Sequence, residues 1–485
     1  MQCFNGIRMK KNIIFILTVF IFSAVGFSQV KTDANIYGHI LNKLSGEHLP
    51  YINVIIKGTT IGCATDATGH YFLKNLPGGK FIIEVSGIGY KPAMKEIELI
   101  AGQTLEENFE LEEDLVQLES VVVSANKNEV NRKEASTIVN VLTPKIFENT
   151  NSVCLAQGLN FQTGVRVETN CQNCGFQQVR INGLDGPYSQ ILIDSRPVFS
   201  ALAGVYGIEQ IPANMIERVE VIRGSGSALY GSNAIAGIIN IITKEPTANS
   251  VVLSHITDLI YGKSTDLNTT LNASVVSDDY RTGVMIFGSS RQRAPFDFDD
   301  DGFTEIGKII SKNIGFNCYY KTSYFSKLTI EYHNLGEFRR GGDSLDLPPH
   351  RADVAEQIEH NINTGRIKYD VFSKNNKNRV NIYSAGQIIN RKSYYGAQKD
   401  PNAYGLTTDK TYVAGIQYTY SMDTLFFMPA KFTAGTEYSF DDLHDEMVGY
   451  HRLISQGINI KSIFLQNEWK DKKLSIFLGG RLDKH

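Results

Sequence analysis

Residues Glu217–Lys244 read ERVEVIRGSGSALYGSNAIAGIINIITK. Two β-branched runs flank a glycine-rich segment, a pattern that predicts a strand on each side of a reversal. After Arg223, the glycines Gly224, Gly226, Gly231 and Gly237 allow dihedrals or backbone approaches that a Cβ would block. The expectation is a strand that turns back tightly in a crowded interior. A phosphate-binding loop is the rival reading, and it fails on spacing. GSGSALYG lacks the third glycine of a dinucleotide fingerprint, and no Lys-Ser or Lys-Thr follows it. GKST at Gly262 has that ending, but Thr257 stands where the first P-loop glycine belongs.

The chain around this stretch has 485 residues, with 42 glycines, 23 tyrosines, 26 phenylalanines and a net charge of −3. Its length implies several folding units. No excess of positive charge indicates a nucleic-acid partner. Near the N-terminus, Lys10 and Lys11 precede NIIFILTVFIF and then SAVGFSQ, the order of a secretory signal spanning residues 1–28. The apolar run Ile13–Phe22 is too short to cross roughly 30 Å of hydrocarbon. No later segment reaches the roughly 18 apolar residues of a spanning helix, so strands must carry any membrane contact.

C-terminal to the opening stretch, residues 246–485 alternate. In SKLTIEYH, Leu328, Ile330 and Tyr332 share one face while Thr329, Glu331 and His333 share the other. KFTAGTEYSF opposes Phe432, Ala434, Tyr438 and Phe440 to Lys431, Thr433, Glu437 and Ser439. Apolar outside and polar inside is the pattern of a membrane barrel, although a soluble sandwich alternates as well. Short connections (SDDY, KTSYF, KNNKN, DTLFFMP, KDKK) alternate with longer ones (RAPFDFDDDGFTEIG, EFRRGGDSLDLPPHRADVAEQ, YYGAQKDPNAYGLTTD), as in outer-membrane barrels. Counting in this way gives about eleven strands by Arg481. LSIFLGGRLDKH ends inside an expected strand, so the expectation is a sequence holding only the first part of a barrel.

On the N-terminal side, residues 36–113 alternate short strands and turns, which indicates a small β-sandwich. In its turn at Asp66–Gly69, the aspartate is expected to bond its own backbone and the glycine to supply positive φ. An acidic linker, residues 114–130, holds the β-prone run Glu119, Ser120, Val121, Val122, Val123, Ser124, Ala125. This run reads either as a seventh sandwich strand or as an unpaired strand seeking an edge.

Two stretches carry a family resemblance. IPANMIERVEVIRGSGSALYGSNAIAGIINIITK resembles the end of the plug domain of TonB-dependent outer-membrane receptors. LPYINVIIKGTTIGCATDATGHYFLKNLPGGKFIIEVSGIGYKP resembles the carboxypeptidase regulatory-like, transthyretin-like domain in front of many such receptors of the Bacteroidetes type. The resemblance implies a mostly β chain: N-terminal β-sandwich in the periplasm, mixed α/β plug over residues 131–245, and a partial transmembrane antiparallel β-barrel in outer-membrane lipid. The family barrel encloses its plug within about 22 strands. Residues 119–125 look like a TonB box, which binds the TonB complex by adding a strand to its sheet. The implied activity is active import. Glycan importers of the family usually have Lys-Asp where this chain has Arg223-Gly224, which points to a siderophore, cobalamin, haem or metal: a small metal-containing or metal-chelating ligand. A signalling receptor acting on an anti-sigma factor and a surface adhesin are the competing functions.

Three groups are candidates for chemistry. Cys171 and Cys174, in NCQNCG, form a pair open to a disulfide, a metal or redox work; Cys154 is a candidate third thiol. Asp297, Asp299 and Asp301, followed by Gly302, match the opening half of a calcium loop. Lys308 stands where the bidentate glutamate belongs, so a solvated acidic loop competes with calcium binding, and no cofactor is certain. The ten histidines are scattered. No H-E-x-x-H, G-x-S-x-G or catalytic triad occurs in a recognisable context, so no enzyme activity is expected.

Overall fold

The computed structural model describes residues 32–485, except 51, 67, 88–89, 114–120, 123–129, 132–136, 170–174, 176, 186–187, 198–202, 225–228, 232–233, 376 and 472–473. The leader therefore lies outside the described residues, as do Cys171, Cys174 and Gly226.

Eight strands make the N-terminal unit: β1 (Thr32–Asn42), β2 (Asn53–Ile56), β3 (Gly62–Ala64), β4 (His70–Pro77), β5 (Gly79–Ser86), β6 (Ala93–Leu99), β7 (Thr104–Glu106) and β8 (Phe109–Leu111). β1 pairs with β4, β7 and β8, while β3-β2-β5-β6 form the second sheet. Inward residues of both sheets, among them Ile36, Val54, Leu73 and Ile83, form one core. The Asp66 turn forms as expected: its Oδ1 accepts from the backbone N–H of Thr68 (2.8 Å) and of His70 (3.0 Å), and Gly69 has φ +76°. β9 (Val121–Val122) pairs antiparallel with β10 (Val130–Asn131). Among the described residues it joins neither sandwich sheet; Glu119, Ser120, Val123, Ser124 and Ala125 of the same run lie outside the described residues.

The middle unit is mixed. β11 (Val139–Leu142) precedes α1 (Pro144–Asn149) and α2 (Leu155–Leu159). The hairpin β12 (Val165–Thr169) and β13 (Gln177–Ile181) follows, then β14 (Ser189–Ile193) and α3 (Ala203–Gln210). Pro144 opens α1, where its missing N–H costs no intrahelical bond. β15 (Ile216–Arg223) and β16 (Gly237–Thr243), the two arms of the opening stretch, lie antiparallel at the centre of the order β11-β15-β16-β14.

Eleven consecutive antiparallel strands complete the chain: β17 (Ser250–Ile260), β18 (Ser264–Val276), β19 (Thr282–Arg293), β20 (Lys308–Ser323), β21 (Ser326–Gly342), β22 (Val354–Phe372), β23 (Asn378–Ala397), β24 (Tyr404–Leu425), β25 (Met428–Met447), β26 (Arg452–Lys470) and β27 (Ser475–Lys484). Their sidedness is inverted relative to a soluble sheet. On β21, Ile330 and Tyr332 are 37% and 40% exposed while Glu331 is 4% exposed and His333 is buried. On β25, Thr433 and Glu437 are buried. Apolar side chains therefore face out along a surface that only lipid satisfies, and polar ones face the plug.

The connections differ from the sequence reading. β22 to β25 each run 19 to 22 residues, well beyond the roughly 9–11 that cross a bilayer. The strands project past the membrane and absorb the flanks of two of the expected loops. YYGAQKDPNAYGLTTD is mostly strand, with only residues 398–403 as connection. Residues 294–307 and 343–353 remain long. At the opposite, short-turn end the sandwich docks: Tyr280 and Tyr324 pack on its core, and Thr60 N–H donates to the Tyr324 carbonyl at 2.8 Å.

Replacing outward Ile416 (48% exposed) with arginine should cost about 2–4 kcal/mol in the membrane-inserted state, whereas an exposed site on a soluble sheet would be nearly neutral. Urea unfolding of the full-length receptor in lipid vesicles measures the difference.

Candidate functional site

The plug lies on the polar face of the eleven-strand sheet, and its contacts there are mainly charged. α3 ends with Glu209 and Gln210. Glu209 Oε2 accepts from Arg339 Nη1 at 2.6 Å and its Oε1 from Arg291 Nη1 at 3.2 Å. Arg291 is also held by Asp266 (2.6 Å) and Arg339 by Glu337 (2.8 Å). Gln210 Nε2 donates to Glu337 Oε1 at 2.9 Å. All five charged groups are buried. Burial raises the Glu209 carboxyl, but the Arg339 and Arg291 guanidiniums outweigh it and hold it below its ordinary value.

A second set of contacts surrounds the turn after β14. Arg366 on β22 pairs with Asp194 and with Glu331, the latter at 2.5 Å. Thr243, at the end of β16, donates to Asp194 Oδ2 at 2.8 Å. Arg196 stacks 3.4 Å from the Tyr383 ring centre, and the Tyr383 hydroxyl donates to Glu437 at 2.7 Å. Each guanidinium joins a plug residue to the wall, so the plug is attached through bonds that exchange rather than through a continuous greasy seam. Met285 and Phe287 of β19 and Phe464 of β26 are apolar exceptions, each joining a cluster of buried plug residues.

The glycine-rich stretch has a different shape from the tight reversal expected. Residues 224–236 separate β15 from β16, and of those described, Leu229, Tyr230 and Ala234 pack with Phe464 of β26. Arg481 Nη1 donates to the Leu229 carbonyl at 3.0 Å. Gly224 and Gly231 take φ +99° and +89°, which favours glycine. A Cβ at Gly237 would lie 2.3 Å from the Ile222 carbonyl oxygen. Arg223 is exposed and packs over Gly164, where a Cβ would lie 2.7 Å from its Nη1.

The acidic loop converges further than its spacing implied. One carboxylate oxygen from each of Asp297, Asp299, Asp301 and Glu305 lies within 4.8 Å of the others. Oxygens that share a calcium ion sit at most about 5 Å apart, twice a bond of roughly 2.4 Å, so the donor set fits that ion. Glu305 was not legible as a member; the loop folds back so that Phe298 N–H donates to its Oε2 at 2.5 Å. Asp297 Oδ1 is buried without a hydrogen-bond partner. This loop lies at the end of the barrel away from the sandwich.

The thiols divide. Cys154 is buried at the start of α2, and burial pushes it up to about 11; Cys63 in the sandwich is pushed up to about 12 for the same reason. Both are therefore poor nucleophiles.

Comparison with known proteins agrees with this architecture. A family model described as the TonB-dependent Receptor Plug Domain matches residues 131–238, and a CarboxypepD_reg-like domain model matches residues 36–123. The chain is 25% identical over 379 residues to the vitamin B12 transporter BtuB of Vibrio vulnificus, covering 76% of this chain and 58% of that protein. It is 32% identical over 167 residues to the ferric enterobactin receptor PirA of Pseudomonas aeruginosa, covering 31% and 22%. The crystal structure of the siderophore receptor PirA from Acinetobacter baumannii superposes with a TM-score of 0.62 at 16% identity, over 73% of this chain and 57% of that one. The chain thus spans less than two thirds of the length of these relatives.

Replacing Glu209 with glutamine leaves Arg291 and Arg339 with one carboxylate each, and should loosen the plug by about 1.5–3 kcal/mol. Limited proteolysis of the purified receptor should then cut the plug faster than in the parent protein, with the barrel unaffected.

Proposed function

We propose that this chain, which belongs to the TonB-dependent receptors, serves active import of a scarce metal-containing or metal-chelating ligand across the outer membrane. The observation that carries the reading is a plug held to an inward-polar, outward-apolar sheet by exchangeable ion pairs. A wall of this kind keeps lipid out while leaving its filling displaceable. The named relatives are a vitamin B12 transporter and a ferric enterobactin receptor, which supports a cobalamin or ferric-siderophore cargo. The relatives' names are those of a transporter and a receptor, and we read the chain as a transporter.

In this reading, residues 119–125 couple import to energy. β9 already pairs with β10 through backbone bonds, so TonB would take a segment that is prone to extended pairing. Pulling it strains the plug, whose links to Arg291, Arg339 and Arg366 exchange one at a time. Deleting residues 119–125 in the full-length receptor should abolish uptake of labelled cobalamin or ferric siderophore while surface binding persists. Unimpaired uptake would refute the coupling role.

The carboxylates of Asp297, Asp299, Asp301 and Glu305 are proposed to bind calcium on the extracellular side and so order the loop over the ligand entrance. Exposed oxygen sites of this kind bind in roughly the 10⁻⁴–10⁻³ M range. Calorimetric titration should show one such site, weakened by Asp299→Asn; no heat at millimolar calcium would exclude it.

A further inference from the structure

Three histidines outside the plug and barrel lie together on the outer face of the sandwich. His39 on β1 and His70 on β4 are directly opposite partners in the antiparallel register, so their side chains share a face with Cβ atoms about 4.5–5.5 Å apart. Leu41, two residues along on that face, is bridged to His48, which brings the third imidazole alongside. Gly69, at φ +76°, makes room: a Cβ there would lie 2.8 Å from the His48 Cβ. The ring centres are 5.2 Å (His39–His48), 5.8 Å (His39–His70) and 4.9 Å (His48–His70) apart.

That spacing has chemical meaning. Three imidazoles bound to one tetrahedral ion through nitrogens at about 2.0–2.1 Å have ring centres roughly 5 Å apart. The hydrogen bonds around His70 also select the nitrogen left for an ion. Thr68 Oγ1 donates its one hydrogen to Asp66 Oδ1 at 2.7 Å. Its contact with His70 Nδ1 at 3.1 Å must therefore be one in which the ring N–H donates to the hydroxyl oxygen. The Nε2 lone pair is then free. A carboxylate that orients a histidine through a second group is the outer-shell arrangement typical of metal-binding imidazoles. The His48 and His70 rings stand 27° apart, stacked, so bringing all three nitrogens to one point requires rotation about the side-chain torsions. His48 is exposed, so its ring can turn on the solvent side while His70 keeps its bond to Thr68.

We infer that His39, His48 and His70 form a binding site for a divalent transition-metal ion of the imidazole-preferring class, zinc or copper, with the fourth position open to water or a ligand. The site belongs to the N-terminal domain and does not rest on the import reading.

The test uses the untagged full chain in detergent, stripped with chelator, with thiols alkylated and calcium in excess to occupy the acidic loop. Zinc titration should show one site of micromolar affinity or tighter. His39→Asn, His48→Asn and His70→Asn should each weaken it at least about tenfold, and Thr68→Val should weaken it measurably while leaving every ligand in place. His255→Asn, an exposed histidine on β17, should leave it unchanged. Cobalt should give the visible absorption of tetrahedral coordination in the parent protein only. In the unmutated protein, zinc should shield residues 39, 48 and 70 from diethyl pyrocarbonate, a readout independent of variant folding. No site tighter than millimolar, unchanged affinity in the triple variant, or shielding confined to other histidines would each overturn the inference.

Discussion

The structure depends on one constraint: the polar face of the eleven-strand sheet cannot be left dry and unpaired. Arg291 and Arg339 are buried on that face and the Arg366 side chain is only 9% exposed, and an unpaired buried charge costs several kcal/mol. Glu209 and Asp194 of the plug supply part of the missing charge, with Asp266, Glu337 and Glu331 of the wall supplying the rest. Plug and wall therefore complete each other electrostatically, while the main apolar layers lie apart: the plug's around Leu155, Val219 and Ile239, joined from the wall by Met285, Phe287 and Phe464, and the wall's on its outer surface.

Ion pairs of this kind give position without permanence. Arg339 can keep Glu337 if Glu209 moves, and Arg366 can keep Glu331 if Asp194 moves, so no guanidinium is stranded when the plug shifts. A purely apolar seam would lose its contact area all at once. Under the proposed import function, links that break singly would let the filling yield to a pull from one side.

The fold was legible where chemistry has a period. Ile330 and Tyr332 against Glu331 and His333 gave both strand and sidedness, because side chains alternate at every residue. The Asp66 turn was legible because its hydrogen bonds are local. Distance along the chain hid the rest. Glu209 and Arg339 are 130 residues apart, and nothing in either neighbourhood marks them as partners. The glycines after Arg223 look alike in a tight turn and in the longer connection whose Leu229 and Tyr230 pack with Phe464. Glu305 escaped because a helix-flanked calcium loop expects its last ligand where Lys308 stands, whereas this loop folds back on itself. The three sandwich histidines seemed scattered because only the β1–β4 register and the Leu41–His48 bridge bring them together.

A nitroxide scan along residues 328–333 of the full-length receptor in lipid bilayers tests the sidedness most directly. The account predicts high oxygen accessibility at 328, 330 and 332, and protection from both oxygen and a water-soluble nickel chelate at 329, 331 and 333. Access of the nickel chelate to 330 and 332, with no oxygen preference, would place that face in water and contradict it.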